Sequence, residues 1–378
     1  METLKIAFYT DSYLPSRDGV VTSIVNTRKE LEQRGHSVYI FASGGNKTAM
    51  LAKKDSHLFV IKGIKFNKYP QYTMGLRNRK NLRILGISPD IIHAHTPFSA
   101  GLFGYWDSTI MGTKFIGTFH TMVFSEEAIS SYFAKNRAVV KISKYFLLKY
   151  LKWFYSKADS VIAPTDYVKK VLNSSGLKNV TVVPTGLDFE SMTQKSKNVA
   201  RKFLGIENND KVILYFGRVS KEKNIELLIK SAKLLSATDF KVIIAGGGPS
   251  LKTFLLLNKK LGNKNVKFTG FVRDENIPYY YAAADVLCNP STFETQGLVN
   301  LYAAFYGLPI LVPEKTAQEE LLKYSKCGET FNPNSIRDLV DKVNRVYERK
   351  EVYRFGKILR EFDIKRTVDR LLSVYNHN

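Results

Sequence analysis

A chain of 378 residues is longer than one hydrophobic core usually serves, so two domains are expected. A hydrophobic content of 44% excludes a disordered chain, and two cysteines, Cys288 and Cys327, exclude a disulfide framework and fit a reducing cytosol. The 57 Lys and Arg against 34 Asp and Glu leave a net charge of +23, which calls for an anionic partner: nucleic acid, an anionic membrane surface or a phosphorylated substrate.

The amino terminus enters an apolar strand with acidic residues on both sides, which is not the pattern of a signal peptide. Strands are predicted at Leu4–Tyr9, Val38–Phe41, Leu58–Ile61, Ile91–His93, Phe115–Thr118, Ser160–Ala163 and Thr181–Val183, with helices such as Val20–Arg34 and Asp166–Leu172 between them. After Val183–Asp188, where Pro and Gly punctuate the chain, and a polar stretch over Ser191–Asn198, the alternation resumes. Strands are predicted at Val212–Phe216, Lys241–Ala245, Val266–Thr269, Val286–Cys288 and Ile310–Val312. Helices are predicted at Ile225–Leu235, Leu251–Leu261, Leu298–Phe305 and Ile336–Tyr347. The pattern is that of an α/β protein: two Rossmann-like, doubly wound parallel-sheet domains, 1–188 and 189–361, with functional residues in the loops that follow strands.

In the first such loop, Asp11–Val20, Gly19 permits close backbone approach to a ligand at a helix start, or serves an ordinary turn. Gly217-Arg218 ends a strand and Lys223 follows; two cations there suit a diphosphate, or make a solvated basic turn. Gly246-Gly247-Gly248-Pro249 is either a nucleotide approach or a plain turn. In Pro290–Val299, Glu294 precedes Gly297 and Leu298 at the start of an apolar helix. Its carboxylate can accept bonds from sugar hydroxyls while the helix start holds phosphate, or Thr295 or Glu294 simply caps the helix. His93-Ala94-His95 lacks a third ligand at metal spacing, so no metal site is expected. His120 is the stronger site residue of the three, with a buried structural histidine as the alternative.

Together these pieces resemble the retaining GT-B glycosyltransferases of the family 4 type, the sucrose synthase and lipid glycosyltransferase group. The segments that carry the resemblance are Asp11–Thr22, Asp90–Gly101, Gly117–Thr121, Ala158–Thr165, Val183–Asp188, Gly217–Asn224, Gly246–Pro249 and Ser291–Pro309, in register along the chain. The resemblance implies two domains facing across a cleft, with the last helix, Ile364–Tyr375, crossing back to the first. It implies that Gly19 lines the donor diphosphate and that Arg218 and Lys223 bind it and stabilise the leaving group. Glu294 would hold sugar hydroxyls, the backbone at Gly297 and Leu298 would assist the phosphate, and His120 would sit near the transferred sugar. It implies retention of anomeric configuration and no bound metal or other cofactor, the nucleotide sugar being substrate. Such enzymes usually carry two glutamates separated by seven residues, the second binding the ribose. Here the second position is Tyr302, and losing a charged hydrogen bond there costs about 1.5–3 kcal/mol. Tyr302 can donate one hydrogen bond instead, or the chain is a non-catalytic relative.

The wording Glu-Thr-Gln-Gly-Leu at 294–298 resembles diacylglycerol glucosyltransferases, which implies UDP-glucose and a lipid acceptor. An independent feature agrees. In Val139–Lys157, Lys141, Lys144 and Lys152 lie near one face among Tyr, Phe, Leu and Trp153, as in a helix lying in a bilayer surface. The alternative is a core helix whose lysines reach out to solvent. A second basic stretch, Lys62–Arg83, adds to the membrane reading. The expectation is a cytoplasmic enzyme peripherally bound to the inner face of the cell membrane. A soluble enzyme acting on a sugar or small metabolite is the second reading, and nucleic acid is disfavoured because no recognised nucleic-acid motif is present.

Overall fold

The computed structural model describes residues 3–66, 69–76, 86–122 and 136–377. They form two compact units, Met1–Asp188 with Asp363–Asn378, and Phe189–Phe362.

In the first unit the short apolar runs become β1 (Lys5–Thr10), β2 (Ser37–Gly44), β3 (Leu58–Phe66), β4 (Tyr69–Gly75), β5 (Ile91–Ala94), β6 (Lys114–Thr118), β7 (Ser160–Ala163) and β8 (Val180–Val182). They join in the order β4-β3-β2-β1-β5-β6-β7-β8, with β3 and β4 antiparallel and the other pairs parallel. Ile6, Phe8, Val38, Ile40, Ile91 and Ile116 are buried because helices cover the parallel sheet. The helix Ile364–Asn376 belongs to this unit. Its Ile364, Val368, Leu371 and Leu372 join the same core, and Lys114 Nζ donates to the carbonyls of Val374 and Tyr375 at its end.

The second unit repeats the plan with β9 (Lys211–Phe216), β10 (Phe240–Ala245), β11 (Val266–Gly270), β12 (Val286–Cys288), β13 (Ile310–Pro313) and β14 (Gly328–Phe331). All pairs are parallel, in the order β11-β10-β9-β12-β13-β14. The chain runs outward from β9 in one direction and returns to pair β12 on its other side. The loops after β9 and β12 therefore open side by side at the carboxyl edge of the sheet, where doubly wound folds hold ligands. β9 carries Gly217 to Lys223, and β12 carries Asn289 to Gly297.

Candidate functional site

The β9/β12 switch point brings together residues 71 apart in sequence: Lys223 Nζ lies 2.6 Å from Glu294 Oε1. The two side chains are 19% and 21% exposed, so the pair is partly withdrawn from water yet reachable by a ligand. Arg218 sits half-buried in the same loop, whose path is held by Tyr215, its hydroxyl donating to the Arg218 carbonyl at 2.8 Å.

The glycine loop after β10 supports this arrangement from below. Val219 N donates to Gly247 O at 2.9 Å and Ser250 N to Val219 O at 3.1 Å. A Cβ on Gly246 would stand 1.8 Å from Gly217 O, and one on Gly248 would stand 2.2 Å from Val219 O. Two of the three glycines thus serve the packing of one loop against another.

The segment after β12 is fixed by buried amides that sequence reading did not single out. Gln318 Oε1 accepts from Asn289 Nδ2 at 2.6 Å and from Asn300 Nδ2 at 2.8 Å, and Gln318 Nε2 donates to Ser291 O at 2.6 Å. All four residues are at most 2% exposed, so the network is fully committed to positioning the loop. Gly297 is the N-cap of the helix Leu298–Phe305, at φ +82°, with no side-chain cap. The N-cap position itself thus falls to Gly297 and not to Thr295 or Glu294, and Glu294 pairs with Lys223. A Cβ on Gly297 would meet Asn300 Nδ2 at 2.7 Å and Gln318 Oε1 at 2.8 Å, which ties this glycine to the amide network. Leu298 opens the helix, and Tyr302 lies one turn on, its ring stacked 5.7 Å from Tyr281. Burial raises the Tyr302 pKa, so the hydroxyl is a protonated donor at neutral pH.

In the first unit, Asp11 is the fully buried hub beneath the loop after β1. Its carboxylate accepts from Ser43 Oγ at 3.0 Å, Thr96 Oγ1 at 2.6 Å and Ala100 N at 2.9 Å, and from Ser99 Oγ. Gly19 starts the helix Gly19–Gln33, and Asp18 caps that helix by accepting from Val21 N at 2.9 Å. A carboxylate thus already occupies the anion-favouring end.

His93, His95 and His120 come together beside this hub without converging on one point. His93 bonds Tyr375 Oη at 2.7 Å and Thr118 Oγ1 at 2.6 Å, whereas His95 Nδ1 and His120 Nε2 are 3.1 Å apart. Desolvation lowers all three pKa values, His93 to about 3 and His120 to about 4, so the imidazoles are neutral at physiological pH. Among the described residues no group of His, Cys, Asp and Glu has the geometry of a metal site.

Lys141, Lys144, Lys152 and Trp153 lie on the helix Arg137–Tyr155. Val140, Leu151, Phe154 and Tyr155 are its buried edge. The outward face exposes Ile142, Tyr145, Phe146 and Trp153 between Lys141, Lys149 and Lys152, with Lys144 half-buried. The structure differs from a plain core helix in that its apolar residues face outward as well as inward. Of the second basic stretch, Lys62–Arg83, residues 67–68 and 77–83 lie outside the described residues. No helix among the described residues is long and apolar enough to cross a membrane.

Comparison with known proteins agrees with this architecture in both halves. Residues 17–191 match Glycosyltransferase Family 4 and residues 196–359 match Glycosyl transferases group 1. An alpha-monoglucosyldiacylglycerol synthase of Streptococcus pneumoniae is 32% identical over 87% of this chain and 75% of its own length. A protein of the same description from Acholeplasma laidlawii is 27% identical over 92% of this chain and 89% of its own. Among solved structures, Anabaena HepE in complex with UDP superposes with a TM-score of 0.75 at 19% identity, covering 98% of this chain and 99% of that one. Two sheets of mainly parallel strands, the switch-point cations, the buried scaffold and these likenesses make the chain a member of the GT-B glycosyltransferases, with a family 4-type first half and a group 1 second half.

Proposed function

We propose that this glycosyltransferase moves glucose from UDP-glucose onto a lipid hydroxyl, such as that of diacylglycerol, at the surface of an anionic membrane. The Lys223–Glu294 pair at the β9/β12 switch point carries the reading. With Arg218 it offers cations for a diphosphate beside a carboxylate for sugar hydroxyls, next to the amides at Gly297 and Leu298. Those cations and the helix start take up the charge developing on the leaving diphosphate, so the chemistry asks for no bound metal. The acceptor attacks on the face the diphosphate leaves, and configuration is retained. The lipid and the sugar follow the two synthases that resemble this chain over most of its length, and UDP follows HepE.

The exposed face of the helix Arg137–Tyr155 supports the membrane part, on the inner face of the cell membrane. Each Lys near an anionic leaflet contributes about 1 kcal/mol, and Trp153 and Phe146 add buried apolar area. Flotation with phosphatidylglycerol vesicles tests this. Lys141→Glu with Lys152→Glu is expected to lower partitioning by about 30-fold or more, each reversal removing an attraction and adding a repulsion. Equal flotation of the double variant and the parent would remove the helix from membrane binding.

A non-catalytic relative is the second reading, and Tyr302 at the ribose position is its one observation. Tyr302→Phe separates the two. If the hydroxyl serves the donor, UDP-glucose binding weakens about 2- to 10-fold in calorimetry. Unchanged affinity would leave Tyr302 a packing residue on Tyr281.

A further inference from the structure

The helix Leu251–Leu261 flanks the edge strand β11 of the second unit and packs on the helix Ile225–Ser236. Its inner side is spent on the core of that unit, where Phe254 is buried and Leu251 and Leu257 pack beside it. On its outer side Lys252, Leu255, Leu256, Lys259 and Lys260 recur at the three- and four-residue spacing of one helical face, and all five are exposed. Leu255 is 44% and Leu256 69% exposed, on the side where a surface helix ordinarily carries only polar residues.

The charge around this face has one sign. From Phe240 to Arg273 the sequence holds seven basic residues and no acidic one. Lys230 and Lys241 nearby are paired with Glu226 and Asp210, whereas Lys252, Lys259, Lys260 and Lys264 meet no carboxylate among the described residues. Cations alone would suit any polyanion, and the leucines between them decide among polyanions. A nucleic acid backbone would engage the lysines and leave the leucines in water. A second copy of a chain with net charge +23 would be repelled. An anionic bilayer takes up both, with lysines at the phosphates and leucines at the acyl boundary. We propose that the helix Leu251–Leu261 gives the second unit a lipid-binding face of its own, which docks on an anionic membrane through Leu255 and Leu256 set among Lys252, Lys259 and Lys260. No residue of the first unit enters this face.

Leu256→Cys carrying an environment-sensitive fluorophore reads the contact in the intact protein, because the native thiols Cys288 and Cys327 are buried and escape labelling. Phosphatidylglycerol vesicles are expected to shift its emission to the blue, and lipid brominated in the acyl chain to quench it. An unshifted and unquenched probe overturns the proposal. So does a shift produced by an oligonucleotide, by polyglutamate or by raised protein concentration, and not by vesicles. Flotation gives the second reading. Leu255→Ser with Leu256→Ser leaves the charge unchanged and is expected to lower partitioning about 10-fold. Lys252→Glu with Lys259→Glu is expected to lower it about 30-fold or more. All four side chains are exposed, so the urea midpoint should stay in place. Equal flotation of the leucine variant and the parent would reduce the face to the general attraction of a basic chain for an anionic vesicle, and overturns docking. The result is separable from that of Lys141 and Lys152: a chain held to the vesicle by the helix Arg137–Tyr155 alone would float equally well with either change in Leu251–Leu261.

Discussion

Replacing Lys223 with alanine is expected to lower kcat by about two to three orders of magnitude, the cost of removing one preorganised charge stabiliser from a reacting centre. Two effects add. The diphosphate loses a cation as its charge develops, and Glu294, 2.6 Å away, loses the ion that holds its carboxylate in place for sugar hydroxyls. Both side chains are about one-fifth exposed, so the pair itself contributes little to folding, and the denaturation midpoint should hardly move. Lys223→Arg is not a rescue, because a planar guanidinium reaches Glu294 with a different geometry. Steady-state kinetics and urea denaturation on the same preparation separate the alternatives. A variant that loses stability but keeps turnover within about 3-fold would make the pair structural, against the clamp argued here.

Asp285→Ala is expected to be the most destabilising single change in the second unit, by about 3–5 kcal/mol. Asp285 stands immediately before β12 and is 5% exposed. It accepts from Arg201 Nη2 at 2.9 Å and Val212 N at 2.8 Å and pairs with Lys197 Nζ. Arg201, itself 3% exposed, spends its remaining donors on the carbonyls of Ala283 and Glu207, both at 3.1 Å, and of Asn208. Removing the carboxylate leaves a buried guanidinium without its counter-charge and an unpaired strand amide at β9. Asp285→Asn keeps an acceptor for Val212 N and should fall between. The check is the urea midpoint of the second unit's transition, and a loss below about 1 kcal/mol would show that water replaces the ion pair.

Much of the fold was legible because parallel strands buried on both faces read as short apolar runs, as at Val286–Cys288, with longer helical patterns such as Leu251–Leu261 between strands. Elements that break that grammar were not. Ser99–Met111 is a helix although Gly101 and Gly104 punctuate it. Those glycines are required because a Cβ at Gly101 would stand 2.0 Å from Thr96 O and one at Gly104 would stand 2.9 Å from the Tyr9 ring. The edge strand Tyr69–Gly75 contains Pro70, tolerated only where one side of the ladder is open. The strand Gly328–Phe331 is short and carries Glu329 and Thr330.

The site was legible to the extent that it lies in strand-following loops. Arg218, Lys223 and Glu294 could be named from position and charge. Their proximity came only through the family resemblance, because from the residues alone it depends on β12 pairing with β9 rather than with its sequence neighbour β11. Asn289, Asn300 and Gln318 went unnoticed because isolated amides read as surface residues, and only their burial reveals a scaffold. The bond between His95 and His120 joins residues 25 apart through the pairing of β5 with β6. Tyr302 remains the one departure that sequence alone exposed, since it requires a pattern to depart from.

The central claim is that Arg218, Lys223 and Glu294 transfer a hexose to a lipid. The direct measurement incubates the purified chain with radiolabelled UDP-glucose and phosphatidylglycerol vesicles containing diacylglycerol, then extracts and resolves the lipids. The account predicts a labelled glucolipid with an α-linkage, formed by the parent and at least about 100-fold more slowly by Lys223→Ala. Folded protein that yields no labelled lipid from any of several nucleotide sugars would contradict it.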